Sequence, residues 1–177
     1  KAEAEETTTG VYTYVHLTDT NIQITRYSGT ESECVIPASI DGYNVTSIGE
    51  MAFNNCEKIT TIKVPEGVTE IGDNAFYRCI KMESIELPDS LISIGKNALM
   101  WNYDLKAVRI PKNVSYIGAG LIALSSDVES IEVDADNLKY SSGNNENIII
   151  DKANKVVIAG CKNSTIPYGI QRIGTYA

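Results

Sequence analysis

"VTSIGEMAFNNCEKITTIKVPEG", Val45 to Gly67, is followed at once by "VTEIGDNAFYRCIKMESIELPDS", Val68 to Ser90. The two segments agree column by column without a gap. Two further units keep the spacing: "LISIGKNALMWNYDLKAVRIPKN" from Leu91 and "VSYIGAGLIALSSDVESIEVDAD" from Val114. One column holds Val45, Val68, Leu91 and Val114. Another holds Ile48, Ile71, Ile94 and Ile117, each followed by glycine. Ala52, Ala75 and Ala98 form a third column, Phe53, Phe76 and Leu99 a fourth. A fixed 23-residue period is the mark of a repeat architecture, in which one unit cannot bury its own apolar side and stacked units can.

The pattern inside a unit predicts its conformation. Ile62 and Val64 alternate with Lys63, as on a short strand with one face buried. Pro65, Pro88 and Pro111 then end the strand, since proline cannot donate to a ladder. "VTSIG" reads as a second extended piece, turned by a glycine for which a positive φ is expected. "EMAFNNC" brings Ala52, Phe53 and Cys56 one turn apart and suits a short helical or 3₁₀ turn.

These residues resemble the BspA-type leucine-rich repeat, V-T-x-I-G-x-x-A-F-x-x-C-x-x-[IM]-x-x-I-x-[VL]-P, tightly from Val45 to Pro111 and more loosely to Asp134. The resemblance implies a solenoid, mostly β with short helical or 3₁₀ turns, carrying an N-terminal β-cap and a β-hairpin insert near the C-terminus. It further implies an extracellular or cell-surface interaction or adhesion module, and it transfers no ligand. The organisation expected is a disordered tether at 1–10, a β-cap and entry coil at 11–44, and four repeats at 45–136. A hairpin insert bulging from the solenoid follows at 137–163, where "NIIID" and "KVVIAG" flank "KAN". A restarted, truncated repeat occupies 164–177. By the alignment Ala177 falls in the Ala column, so the native chain is expected to continue with a further repeat, or its last edge to be covered by another molecule.

The chain has 177 residues, is 43 % hydrophobic and carries a formal net charge of −8 with a pI near 4.7. That balance argues against nucleic acid, which demands a basic face. No apolar run reaches membrane-span length. The single histidine, His16, offers little to a nucleophilic triad. Cys34, Cys56, Cys79 and Cys161 lack zinc-ligand spacing. No catalytic residue, metal or cofactor is therefore assigned, and the chain is not expected to be an enzyme.

Cys56 and Cys79 share a column with Asn102 and Ser125, which asks for small polar side chains, so free, buried thiols are expected there. The solvent side of the main strands carries Thr61, Lys63, Ser84, Glu86, Arg109, Ser130 and Glu132. This would be the concave, partner-binding face, for a host-matrix or cell-surface protein. It also reads as a self-neutralising ladder of alternating charge. Trp101, Tyr103 and Tyr77 form a second candidate, an exposed aromatic patch that would suit a glycan. Trp101 folding down over the coil is the bland alternative. A structural spacer displaying other domains is the third reading. The run "VDADN…SSGNNENIIID" invites calcium, but its spacing fits no loop pattern, and turn geometry alone accounts for Asn, Gly and Asp. Sequons at Asn44, Asn113 and Asn163 bear on function only in a eukaryotic secretory host.

Overall fold

The computed structural model describes residues 5–177. The described chain winds as a β-solenoid without a helix. Its strands are β1 (Glu6–Thr9), β2 (Tyr12–His16), β3 (Asn21–Tyr27), β4 (Glu33–Val35), β5 (Ser39–Ile40) and β6 (Tyr43–Ile48) in the N-terminal part. The regular coils supply β7 (Thr61–Lys63), β8 (Glu70–Ile71), β9 (Ser84–Glu86), β10 (Ser93–Ile94), β11 (Ala107–Ile110), β12 (Tyr116–Ile117) and β13 (Ser130–Val133). The C-terminal part adds β14 (Tyr140–Ser141), β15 (Ile148–Asp151), β16 (Val156–Gly160) and β17 (Arg172–Ile173).

Each regular coil gives one strand to each of two parallel ladders. The first runs β3–β6–β8–β10–β12, with Ile48 opposite Ile71, and Ile94 opposite both Ile71 and Ile117. The second pairs β4–β7–β9, with Thr61 opposite Ser84, and separately β11–β13, with Ala107 opposite Ser130. Like residues thus stack directly on like residues. Between the ladders the columns read in the sequence form the core: Val45, Val68, Leu91 and Val114 are all buried, as are Phe53, Phe76 and Leu99. Tyr27 extends the aromatic column, its ring stacked on Phe53 at 4.9 Å, and Phe53 lies 5.2 Å from Phe76.

Three local expectations need correcting. The segment after the glycine is not a helical turn. Ala52, Asn54 and Cys56 N–H groups donate to the carbonyl three residues back, while Met51, Phe53 and Asn55 N–H groups donate to Asp73, Ala75 and Tyr77 of the next coil. This alternation needs left-handed residues, and Met51 (φ 56°), Asn55 (φ 58°), Asn74 (φ 55°) and Arg78 (φ 58°) supply them. A helix would satisfy those donors within the coil and leave the next coil's carbonyls without partners.

The glycine of the Ile-Gly pair does not take the positive φ expected of it. Its column is set by close approach instead: a Cβ on Gly72 would lie 2.6 Å from Glu50 N and 2.8 Å from Gly49 C, backbone of the preceding coil. Finally, the stretch expected to be a disordered tether is not one throughout. Residues 1–4 lie outside the described residues, but Glu6–Thr9 form β1, antiparallel to β2. The β-branched threonines favour the strand, and Gly10 (φ 59°) makes the tight turn. Thr25 Oγ1 donates to Glu6 Oε1 at 2.8 Å, tying β1 across to β3.

The segment at 137–163 contains the expected hairpin, β15 and β16, but does not bulge outward. β15 is apolar throughout except at its last residue, so neither face suits water. Ile149 and Ala159 join the main core, while Ile148, Ile150 and Val157 build a second small core against Ile170. The handover from the repeat is polar. Asn137 and Tyr140 stand one period after Val114 and Ile117, and both are buried. Asn137 Nδ2 donates to Pro111 O (2.9 Å) and Val114 O (3.0 Å), and its Oδ1 accepts from Lys139 and Tyr140 N–H. Tyr140 Oη accepts from Ile117 N–H at 3.1 Å, ending the first ladder. β17 then pairs in parallel with β16, and Gly174 N–H donates to Val157 O as Gly72 N–H does to Ile48 O.

Candidate functional site

The second ladder presents every other side chain to solvent, because its inward residues, Ile62, Val108 and Ile131, are held in the core. Thr61, Lys63, Ser84, Glu86, Arg109, Ser130 and Glu132 accordingly lie on one exposed side. They do not form one surface. Thr61, Lys63, Ser84, Glu86 and Arg109 line a groove of about 390 Å³ together with Glu33, Val35 and Leu87. Ser130 and Glu132 line a separate cleft against the 140–147 segment.

The division falls where the ladder is interrupted. Ile36 N–H donates to Lys63 O and Val64 N–H to Glu86 O (both 3.0 Å), but this bond is not repeated from Leu87 to the next strand. The coils remain tied at the strand starts, where Lys106 N–H donates to Glu83 O at 3.1 Å. β9 and β11 are therefore splayed, and Ile85 between them is only half-buried.

The charges divide at the same place. Lys63 Nζ lies 3.0 Å from Glu86 Oε1. Arg109 turns away from Glu86, to Glu132 (4.0 Å) and in close contact with Asp134. The alternating column is thus two groups, in which the exposed pairs Lys63–Glu86 and Arg109–Glu132 are each worth under about 1 kcal/mol. At the groove floor, burial pushes the Cys34 thiol up, so it stands there as a neutral small group. Val35 at the rim is 68 % exposed, an apolar handle beside the charges.

The aromatic candidates are brought together only in part. Tyr77 and Trp101 rings lie 5.3 Å apart, and the Arg78 guanidinium stands 5.3 Å from the Trp101 ring centroid. Trp101 is half-buried at a left-handed position (φ 62°), while Tyr103 is 45 % exposed. In the cysteine column, Cys79 is buried and donates to Phe53 O at 3.2 Å, and Cys56 is half-buried. A hydrogen bond with Cys56 and burial hold the Cys79 thiol well above the usual range. All four cysteines are free. No group of three or more His, Cys, Asp or Glu that could hold a metal occurs among the described residues.

The cleft beside β13 is what the sequence reading missed. It measures about 670 Å³, and both halves of the run weighed as a calcium loop meet across it: Asp134 and Ala135 on one wall, Ser141, Ser142, Gly143, Asn145 and Asn147 on the other. Counting the period on past Asp136 gives the available signal, since Asn137 and Tyr140 then fall in apolar columns and mark where stacking must change.

A profile of the BspA type leucine rich repeat region matches six copies over residues 17–151. Among solved structures, a leucine-rich repeat protein from Bacteroides capillosus superposes with a TM-score of 0.67 at 30 % identity, over 73 % of this chain and 99 % of that one. The T. pallidum leucine rich repeat protein follows at 0.55 and 27 %, over 72 % and 71 % of the two chains. A leucine rich cell surface protein from Faecalibacterium prausnitzii shares the fold at 0.53 and 21 %, over 87 % and 61 %. No curated protein matches the sequence.

Proposed function

The chain belongs to the BspA-type leucine-rich-repeat family, and on that premise we propose that it is a non-enzymatic, extracellular or cell-surface module that binds a protein partner. The groove along β4, β7 and β9 is the observation that carries this reading. Its apolar surface is the exposed Val35 and the half-buried Ile85, with Ile62 and Leu87 turned into the core beneath them, and its rim carries Glu33, Lys63, Glu86 and Arg109. An apolar centre ringed by charges of both signs is the usual anatomy of a protein interface. The description of one fold relative as a cell surface protein supports the location. A glycan platform at Trp101 and Tyr103 is less well supported, because Trp101 is half-buried with Arg78 laid against it.

Binding of the purified chain to immobilised extracellular-matrix proteins and to intact cells tests the reading. Val35→Asp and Arg109→Glu should each weaken the captured interaction about tenfold, while Tyr103→Ala leaves it unchanged. Capture that ignores both groove variants, or no capture by any protein surface, would sink it and leave the spacer reading.

A further inference from the structure

We propose that the cleft between β13 and the 140–147 segment is a saccharide site, taking a neutral sugar residue at the end or side of a glycan. It lies apart from the groove above. The cleft exists because the second ladder stops there without a strand to follow. Ile131 N–H donates to Asn147 Oδ1 and Val133 N–H to Ser142 Oγ (both 3.3 Å), so two side chains stand where the next strand's carbonyls would be. On that same edge lie the carbonyls of Ile131 and Val133, which no strand pairs. The 140–147 segment rises beside the edge and walls it. Left-handed Gly143 (φ 66°), Asn145 (φ 68°) and Asn147 (φ 55°) bend it into place.

The chemistry of the walls selects the ligand. Ser130, Glu132, Ser141 and Asn145 offer hydroxyl, carboxylate and amide groups, interleaved with the small residues Ala135 and Gly143. Such a lining pairs with a ligand dense in hydroxyls, which both donate and accept. An anion is disfavoured: Lys152 is the one cation among the lining residues, and its Nζ already donates to Asn137 O at 2.6 Å. A metal ion is disfavoured because Asp134 is held by Arg109 and no third carboxylate joins it. The volume, about 670 Å³, falls within the roughly 300–1,000 Å³ of small-ligand sites. Glu132 is the carboxylate best placed to grip adjacent hydroxyls, being 71 % exposed and only 4.0 Å-paired with Arg109.

An array of neutral oligosaccharides built from hexoses and N-acetylhexosamines is the probe, followed by calorimetric titration of any hit. The expected result is binding of at least one neutral glycan that Glu132→Gln and Asn145→Gly, which keeps the left-handed backbone, each weaken about tenfold. Trp101→Ala and Glu86→Arg should leave that affinity within about twofold, which separates this site from the aromatic patch and from the protein-binding groove. Both cleft variants alter exposed side chains, and unchanged thermal midpoints would show them folded. The proposal is overturned if the array stays blank with wild-type protein, if binding survives both cleft variants, or if only acidic glycans or basic peptides bind. None of these outcomes bears on capture of proteins by the groove.

Discussion

From Ile48 to Ile117 each strand of the first ladder is met by the backbone of the next coil; at Ile117, and along the outer edge of β13, side chains meet it instead. Val68, Leu91 and Val114 stack as an apolar column, whereas Asn137 enters the same column and bonds Pro111 O and Val114 O through its amide. Ile94 pairs with Ile117 strand to strand, whereas Ile117 then bonds a phenol, Tyr140 Oη. The difference shows how a solenoid closes internally. Repetition extends a ladder without limit, and a few buried polar side chains satisfy its last donors while turning the chain into a different sheet.

The contrast can be tested by breaking one side at a time. Phe76→Ala opens a hole between Phe53 and Leu99 in the stacked column and should cost about 3–5 kcal/mol, read from chemical denaturation. Asn137→Ala removes the polar handover and leaves buried carbonyls and N–H groups unpaired. A loss of about 3 kcal/mol is expected, with faster hydrogen exchange at Ile117 and Tyr140. An unchanged exchange pattern there would refute the closing role given to Asn137. Gly72→Ala sets a Cβ against the backbone of the preceding coil, and should cost about 1–3 kcal/mol. If it were neutral, the glycine column would owe nothing to close stacking.

Smaller effects should come from the surface. Lys63→Ala removes an exposed pair with Glu86 and should shift stability by under about 1 kcal/mol, an effect that fades as salt is raised in a melting series. The least is expected at the N-terminal cap. Hydrogen bonds from Thr9 (2.5 Å) and Tyr14 (2.8 Å) hold the Asp41 carboxyl below its usual range. A carboxylate depressed by folding stabilises above its unfolded pKa, and that contribution is lost as pH falls through the folded value. Asp41→Asn should therefore lower stability slightly at neutral pH, where the carboxylate's contribution is fully present, and flatten the acid limb of the stability profile below about pH 4.

How far the sequence reached differs between these regions for a physical reason. The period placed Val, Ile, Ala and Phe columns in the core, and they are there, because stacking like on like needs only the spacing. The outward direction of the seven main-strand positions, six exposed and Thr61 half-buried, was also legible, since alternation with buried Ile62, Val108 and Ile131 fixes which way they point. What alternation cannot show is whether neighbouring strands remain paired, and the splay between β9 and β11 separates those seven residues into groove and cleft. The glycine column was visible but its cause was not: whether glycine serves a positive φ or a close approach depends on atoms one coil away. The left-handed residues Met51, Arg78 and Trp101 carry no compositional mark at all.

The sequence by itself therefore determined the coil, its length, the core columns and the family, since each rests on contacts repeated at a constant offset. Only the tertiary structure decided where the ladders end, that the insert folds back onto the core, and that Asp134 and Asn145 share a cleft. Those features rest on single contacts between unlike residues, such as Val133 N–H with Ser142 Oγ, and a contact made once leaves no period to read.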